Sequence, residues 1–383
     1  MTTSLTGEKT ADRTASIDAA RASDRWIASR LCWGLVIAAS VIAFVLIAHN
    51  ARTGAVEDRI RNEGVQGAPR TYPPAIDVGL DAIQIGTIVL IVVMFVVCFV
   101  AWKRYPKHPY LLMMIVTTAI VWQDPIMNWA PYAVYNPQLW HFPENWPLVN
   151  ISPTVEPFIV LGYAAFYFLP FFPALWILRR FQRSRNSDSF VWKHPLISLG
   201  ILIYFVGFLY DVMQEVFVIH TQTYIYSQVI PFGSIFTGTT YQFPLIWESS
   251  LVTTVMIPAG ILCYRDDTGK TVAEKLAQRF RYFRRKPALG TFLVMFVIVN
   301  LAYLVLYGGS FALIRASHKA TSVACPFPFV EAKTYDPQGF YEQNGQPGPY
   351  SEGLQAGWLS GQSGRPDVEP PADGGRCSPE KVR

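Results

Sequence analysis

Seven long apolar runs constrain this chain more than any other feature, because each approaches the length that crosses a bilayer. A transmembrane helix needs about 20 apolar residues. Charged residues make up only 15% of the sequence, against about 25% in soluble domains. We therefore predict an all-α, polytopic bundle of transmembrane helices with seven spans. The predicted spans are Leu31–Ala48, Val78–Trp102, Tyr110–Trp122, Val155–Leu178, Pro195–Ile219, Phe243–Tyr264 and Leu289–Ile314.

Three of these spans need comment. The first follows a long polar segment and lacks a good cleavage site, so it is expected to be retained and not removed as a signal peptide. The third is short, and it is predicted to continue through Ile126 and Trp129. The sixth contains Pro258, which a bundle tolerates where neighbouring helices satisfy the freed carbonyl.

Basic residues are concentrated in alternate loops, which predicts the orientation. The positive-inside rule places these loops and the N-terminus in the cytoplasm, and hence the C-terminus outside a bacterial plasma membrane. The net charge of +5 is thus a topology signal and does not indicate a nucleic-acid partner. The basic residues are Arg21, Arg25 and Arg30 at the N-terminus; Lys103, Arg104 and Lys107; Arg179, Arg180, Arg183, Arg185 and Lys193; and Arg265, Lys270, Lys275, Arg279, Arg281, Arg284, Arg285 and Lys286.

The segments outside the bundle are polar. Residues 1–24 are predicted to be a disordered cytoplasmic N-terminus, residues 25–315 the bundle, and residues 316–383 a disordered, Gly- and Pro-rich outer tail. Residues 266–286 have an amphipathic, basic pattern that predicts a helix on the surface of anionic lipid. Cys325 and Cys377 lie in the outer tail, where pairing and free thiols both remain open.

Five acidic residues lie in or at the ends of the apolar runs: Asp124, Glu156, Asp211, Glu215 and Glu248. A charge at the centre of a bilayer costs about 2.5–3.5 kcal/mol even on lenient scales. Such residues need a partner, a hydrated cavity or a function. The predicted topology places all five toward the same side, so we expect one shared polar pocket.

Asp211 and Glu215 are the strongest catalytic candidates. Their i,i+4 spacing puts them on one helix face, and two carboxylates so close in a low dielectric do not both ionise readily, which provides a general acid beside a general base. The alternative is that each pairs with a cation, but no Arg or Lys lies in the outer half of any predicted span. Glu248 is open between a catalytic role and a helix N-terminal role, and Glu156 is better explained by the latter.

Asp124 precedes Pro125, which discourages helix at Asp124. A polar and aromatic segment follows, and it contains Asn128, Tyr135, Asn136 and Trp140. An interfacial belt accounts for the Trp and Tyr residues but not for the interleaved Asp124 and Asn128. We therefore expect Asp124 to be catalytic and the other four to bind substrate, together with Tyr204 and Trp247.

Motifs for cofactor chemistry are absent from the sequence. There is no HExxH, Gly-rich phosphate loop or CxxC redox pair. Carboxylates with a histidine would suit a divalent ion, but without a paired His motif we expect neither metal nor cofactor. Acid–base chemistry on a lipophilic small molecule is the predicted activity.

The stretch Trp122-Gln123-Asp124-Pro125, followed by Asn128, Tyr135-Asn136-Pro137 and Trp140, resembles the AveC-like spirocyclases of actinobacteria. The resemblance covers about residues 30–315. It implies polyketide tailoring, in which a spiroketal forms from a dihydroxy ketone, in some members with a dehydration.

This implied chemistry needs one protonated and one ionised carboxyl group. Glu215 or Asp211 would be the acid and Asp124 the base that stabilises an oxocarbenium ion, in a dry pocket lined by Tyr204, Phe208 and Trp247. Two alternatives stay open: a carrier whose carboxylates relay protons, and a non-catalytic subunit of an envelope complex. The sequence shows no internal repeat, which disfavours a secondary transporter.

Overall fold

The described part of the protein is built mainly from six apolar helical segments. The computed structural model describes residues 74–136, 138–142, 148–149, 152–317 and 319–324, with isolated positions 38, 41, 45 and 328. By length and composition, six helical segments could cross a membrane, and they coincide with the second to seventh predicted spans. The first predicted span lies outside the described residues apart from positions 38, 41 and 45, so the span count and orientation stay predictions. The six segments are Gly79–Arg104, Pro109–Trp129, Phe158–Ser184, Pro195–His220, Leu245–Cys263 and Pro287–Ala316.

Several of these segments are built from more than one helix. Short 3₁₀ turns at Ile120–Gln123 and Phe158–Gly162 and a π-helix at Ala302–Gly309 interrupt them. The α-helices are α1 (Pro74–Arg104), α2 (Pro109–Ala119), α3 (Asp124–Trp129), α4 (Tyr163–Phe168), α5 (Phe171–Ser184), α6 (Phe190–Lys193), α7 (Pro195–His220), α8 (Leu245–Cys263), α9 (Val272–Gln278), α10 (Arg281–Arg285), α11 (Pro287–Leu301) and α12 (Ser310–Ala316).

The third predicted span continues to Trp129 as expected, but the effect of Pro125 differs from the prediction. Asp124 is helical, with φ −56° and ψ −40°, and the irregular turn lies before it at Ile120–Gln123. A proline ring clashes with the carbonyl four residues earlier, here that of Val121. The Asp124 N–H instead bonds the Val121 carbonyl in a 3₁₀ arrangement, so the chain tightens one turn earlier and stays helical at Asp124.

Helices α7 and α8 pack closely below the site. A Cβ atom at Gly207 would lie 2.7 Å from the Met256 sulfur, so only glycine permits this approach. Asp211 and Glu215 follow Gly207 at four-residue intervals and therefore lie on the same face. Both are buried. The glycine thus brings the acidic face of α7 against α8.

Short strands close the end of the bundle that carries the acidic residues, whereas the sequence predicts an all-α fold. β1 (Ala133–Tyr135) pairs antiparallel with β2 (Tyr224–Tyr226), and β3 (Gln228–Val229) pairs with β4 (Ser322–Val323). Alternating aromatic residues favour strands, but segments this short give little pattern. β4 lies in the predicted outer tail, and Ala320 and Ala324 beside it are buried. The rest of that predicted domain, including Cys325 and Cys377, and the predicted N-terminal domain lie outside the described residues.

The opposite end carries the basic loops. The predicted helix over residues 266–286 is two short helices, α9 and α10. A capping box starts α9, where the Thr271 side chain and Glu274 bond each other's backbone N–H groups. Phe283 is buried, and Val272 and Leu276 pack against the core. The apolar face of this segment therefore packs on the bundle, because the core leaves room for it.

Candidate active site

A cavity of about 320 Å³ lies at the strand-capped end of the bundle. This volume is within the range of small-molecule sites, about 300–1,000 Å³. Its lining includes three carboxyl side chains, those of Asp124, Glu215 and Glu248. The structure thus brings three of the four predicted catalytic residues around one cavity, although they come from three different helices.

Asp124 accepts more hydrogen bonds than any other of these carboxylates. The Tyr303 hydroxyl donates to Oδ1 at 3.0 Å, and the Tyr163 hydroxyl donates to the same oxygen. The Asn128 amide donates to Oδ2 at 3.1 Å. Donors of this kind stabilise the charged form of a carboxylate. Asp124 is therefore surrounded by donors although it is buried.

Asn128 connects Asp124 to a second carboxyl group that does not line the cavity. Its Nδ2 atom also donates to Glu156 Oε2 at 3.0 Å, and the Ser152 hydroxyl donates to that oxygen at 2.7 Å. Burial raises the pKa of Glu156 well above its ordinary value, and the neighbouring charge of Asp124 raises it further. Oε1 of Glu156 makes no hydrogen bond to a described residue. These observations favour a neutral Glu156.

Glu215 lies across the cavity and accepts from two tyrosines of β2. The Tyr226 hydroxyl donates to Oε2 at 3.1 Å, and the Tyr224 hydroxyl donates to the same oxygen. Burial, followed by the charge of Glu215, raises the pKa of both tyrosines well above its ordinary value. Both hydroxyl groups therefore keep their protons and can donate. The strand pairing that forms β2 thus positions the donors for a helix residue.

Glu248 and Asp211 are less well satisfied. Glu248 accepts one bond, from the Tyr307 hydroxyl to Oε1 at 2.7 Å, and its Oε2 has no partner among the described residues. Neither carboxylate oxygen of Asp211 has one, and Asp211 does not line the cavity. Asp211, Glu215 and Glu248 interact electrostatically with one another. Three such groups in a low dielectric do not all ionise readily.

The π-helix Ala302–Gly309 joins the two sides of the cavity. Tyr303 and Tyr307 stack with their ring centroids 5.6 Å apart; one donates to Asp124 and the other to Glu248. Gly308 lets this segment approach α3, because a Cβ atom there would lie 2.7 Å from the Met127 sulfur. π-helical turns occur frequently at functional sites, and this one presents two tyrosines to the cavity.

The predicted substrate-binding residues are divided between the cavity and other contacts. Asn128 and Tyr135 line the cavity, whereas Asn136 is buried and donates to the Gln222 carbonyl, and Trp140 is exposed. The remaining two also lie outside the cavity lining: Tyr204 is within 3.0 Å of the Ser250 hydroxyl, and Trp247 donates to the Phe232 carbonyl. Phe208, which was expected in the same wall, is absent from the lining as well.

The sequence did not predict the tyrosines that donate hydrogen bonds to the carboxylates. The sequence contains one signal for them, since Tyr303 and Tyr307 lie four residues apart in an otherwise apolar run. Such a pair faces one side of a helix. Their carboxylate partners are more than 50 residues away, and no local pattern indicates such contacts. In the part of the chain that the structure describes, no group of three or more His, Cys, Asp or Glu side chains is arranged to hold a metal ion.

One buried basic residue, Arg315, lies near the end of the last helical segment. Arg315 lies inside the last helical segment, one residue beyond the predicted end of that span, and is buried. It donates to the Trp129 carbonyl at 2.6 Å and stacks over the Trp129 and Tyr132 rings at 4.7 and 3.8 Å. The helical segment is therefore longer than the predicted span, and it includes a cation that lies just outside that span. Arg315 holds the turn between α3 and β1.

The predicted motif that begins at Trp122 has two structural roles. Trp122 Nε1 and Gln123 Nε2 both donate to the Asn300 side-chain oxygen, at 2.9 and 2.7 Å, and thereby join α11 to the turn before α3. Asp124, the next residue, enters the cavity. The first two residues therefore fix the helix that presents the third.

The protein is an apolar helical bundle whose cavity is lined by carboxyl groups. This combination is that of a membrane protein with a polar site in its interior. The family described as spirocyclase AveC-like matches residues 102–335, more than half of the chain, so the chain belongs to this family. The match begins later than the predicted resemblance and extends beyond it, and it includes every cavity-lining residue except those of α1. No curated protein and no solved structure matches the chain.

Proposed function

We propose that this protein is a membrane-embedded acid–base cyclase or dehydratase that acts on a lipophilic polyol, such as a polyketide. The observation that carries the proposal is the pairing of unequal carboxyl groups across one cavity. Asp124 accepts three hydrogen bonds, whereas Glu248, which lines the same cavity, accepts one from the described residues. One side of the cavity is therefore suited to an anion and the other to a proton donor.

Spiroketal formation from a dihydroxy ketone uses both forms. One hydroxyl adds to the ketone and gives a hemiketal. The acid protonates the hemiketal hydroxyl, which leaves as water, and an oxocarbenium ion results. The second hydroxyl attacks this ion and loses its proton to the base. The net change is the loss of one water, and one proton is given and one taken, so the protein needs no external reactant.

The proposal gives each residue a role. Asp124 stabilises the cation and accepts the final proton, since three donors surround its carboxylate. Glu215 and Glu248 line the cavity and deliver the acid proton. Asp211 touches no substrate and affects the reaction through its charge on these two residues. Asn128 and Tyr135 contact the substrate's hydroxyl groups. Apolar walls limit side reactions with water.

The location of the protein is part of the proposal. The basic loops would face the cytoplasm, and the cavity would lie in the outer half of a bacterial plasma membrane. Substrates that dissolve in lipid would be present at that depth.

Metabolite and lipid profiling of the native host tests the proposal. The gene is deleted and the strain complemented with wild type, Asp124→Asn, Glu215→Gln or Glu248→Gln, and with Asp188→Asn as a control, because Asp188 is exposed and pairs with Lys193 far from the cavity. A precursor heavier by one water should accumulate in the deletion strain. Wild type and the control should clear it, and the three cavity variants should not. Identical profiles in the deletion strain and wild type would overturn the proposal.

A carrier is the second candidate, because protonatable carboxyl groups at a membrane cavity also suit proton-coupled transport. In that case the deletion would change solute uptake that depends on the pH gradient, and no dehydrated product would be lost. A non-catalytic subunit would show neither change, but an envelope complex would fail to assemble.

A further inference from the structure

The cavity is closed toward the end of the bundle. Its lining at that end consists of residues of β1, β2 and the turn before β2, including Ala133, Thr223 and Tyr226, and all three are buried. The β1–β2 pair therefore forms a roof. A molecule cannot reach Glu215 through this roof without separating the two strands.

The side wall reaches the outer surface. Leu90 of α1 and Phe217 of α7 both line the cavity, yet they are 54% and 57% exposed. Gln214 of α7 also lines the cavity and is exposed. Each of these residues is in contact with both the cavity and the outside. The cavity therefore has a mouth in the side of the bundle, bounded by α1 and α7.

The surface around this mouth is apolar. Val89 and Val93 of α1 and Leu209 and Met213 of α7 are all exposed, which is the pattern of a lipid-facing surface. Gln214 lies six residues before the end of α7 at His220, or about 9 Å along the helix at 1.5 Å per residue. The mouth therefore lies within the apolar belt and below the strand-capped end.

Gln214 is unusual in this setting. An amide in contact with hydrocarbon is costly unless it is hydrogen-bonded, and Glu215 is the next residue. At the mouth, the amide can bond the hydroxyl groups of a molecule that enters from lipid. The position of Gln214 is explained if the polar groups of an entering molecule pass this amide on their way to the carboxylates.

We propose that the gap between Leu90 and the Gln214–Phe217 turn is a lateral opening through which an amphiphilic molecule dissolved in the bilayer enters, with its hydroxyl-bearing part toward Asp124 and Glu215. The inference rests on the proposed function for the class of molecule that enters. It also explains how a roofed site can receive a lipophilic polyol without passage through water.

Carbodiimide labelling tests the opening without any turnover. The full chain is reconstituted in vesicles of phosphatidylethanolamine and phosphatidylglycerol. It is then treated with dicyclohexylcarbodiimide, which partitions into lipid, or with a charged, water-soluble carbodiimide. A protonated carboxyl group adds across one C=N bond, and rearrangement leaves a stable N-acylurea that is heavier by one reagent molecule. Peptide mass spectrometry measures labelling at Asp124, Glu215 and Glu248.

The lipid-soluble reagent should label at least one of the three residues, and the water-soluble reagent should do so much more slowly. Leu90→Trp and Phe217→Trp should slow labelling about fivefold or more, which corresponds to a barrier about 1 kcal/mol higher. Val89→Trp and Met213→Trp are the matched controls, because these residues are exposed on the same helices and do not line the cavity; labelling in these controls should be unchanged. Leu90→Ala and Phe217→Ala should accelerate it, which keeps the test valid if a Trp variant fails to fold.

Equal labelling by both reagents would show an aqueous entrance and overturn the inference. Equal effects of the mouth and control variants would also overturn it. A host profile without a precursor would refute the proposed function alone, because the labelling pattern does not depend on the reaction.

Discussion

The two sides of the cavity contain the same kind of residue in opposite conditions. On one side, Asp124 accepts three hydrogen bonds. On the other, Glu215 and Glu248 line the cavity and accept three bonds between them from the described residues, and Asp211, which lies outside the lining, interacts with both electrostatically. The number of donors per carboxyl group, and not the residue type, distinguishes the two sides. An acid and a base can thus be made from identical functional groups.

The strongest test of this comparison is Asp124→Asn. The amide keeps the shape of the side chain but cannot carry the charge that stabilises a cation. We expect product formation to fall by about 10³-fold, since electrostatic stabilisation and general-base catalysis each contribute about 10²–10⁴-fold. The precursor-to-product ratio in the complemented host measures the effect. A ratio within a few fold of wild type, with normal protein levels, would exclude Asp124 as the base.

Glu215→Gln tests the opposite side. Glu248 remains in the cavity lining and can still supply a proton, so the loss should be smaller, about 10²-fold. The Glu215→Gln/Glu248→Gln double variant should fall to the level of Asp124→Asn. If the double variant is as active as either single variant, the acid lies elsewhere.

Two variants of one π-helix, Tyr303→Phe and Tyr307→Phe, compare the two sides of the cavity. The first removes a donor to Asp124 and the second a donor to Glu248. A hydrogen bond to a charged group contributes about 1.5–3 kcal/mol, so Tyr303→Phe should slow product formation about tenfold or more. Tyr307→Phe should have a clearly smaller effect, because its partner does not need a charge. Equal effects in the same profiling assay would contradict the assigned charge states.

Glu156→Gln tests the neutral carboxyl group beside Asp124 through the pH dependence of stability. Because the pKa of Glu156 is raised in the folded protein, the folded state binds its proton more tightly than the unfolded state. The stabilisation is therefore present at low pH and lost as the pH rises through the folded pKa. The melting temperature of the detergent-solubilised wild type should fall from pH 6 to pH 9, and the decline should be shallower in Glu156→Gln. Parallel curves would indicate that Glu156 is ionised in the folded protein.

Asp211→Asn should have the smallest effect. Asp211 does not touch the cavity, and an amide can keep its interaction with the Ser249 side chain. We expect product formation within about fivefold of wild type, since less than about 1 kcal/mol is involved, and a melting temperature that is unchanged or higher. Glu215→Gln, one turn away on the same helix, provides the comparison. A loss as large as that of Glu215→Gln would make Asp211 the proton donor.

Sequence reasoning located the bundle and much of the site, for identifiable reasons. Apolar runs near 20 residues long predicted the helices, since a bilayer demands that length. Asp124, Glu215 and Glu248 were found because an acidic residue in an apolar run is conspicuous. Tyr204 and Trp247 were predicted to bind substrate because they lie on the same helices as these acidic residues. The rotation of each helix against its neighbours, which local sequence does not determine, directs both side chains to other contacts.

The sequence by itself determined that this chain is a helical membrane-type bundle with carboxyl groups at one end, and its motif indicated the family. The bundle follows from local composition, because each residue contributes its own cost of transfer into lipid, and the family follows from the order of a few residues along the chain. Only the tertiary structure decided which carboxyl group has donors and where the cavity opens. Those properties depend on contacts such as that between Tyr303 and Asp124, which join residues far apart in the chain and exist only once the helices have packed.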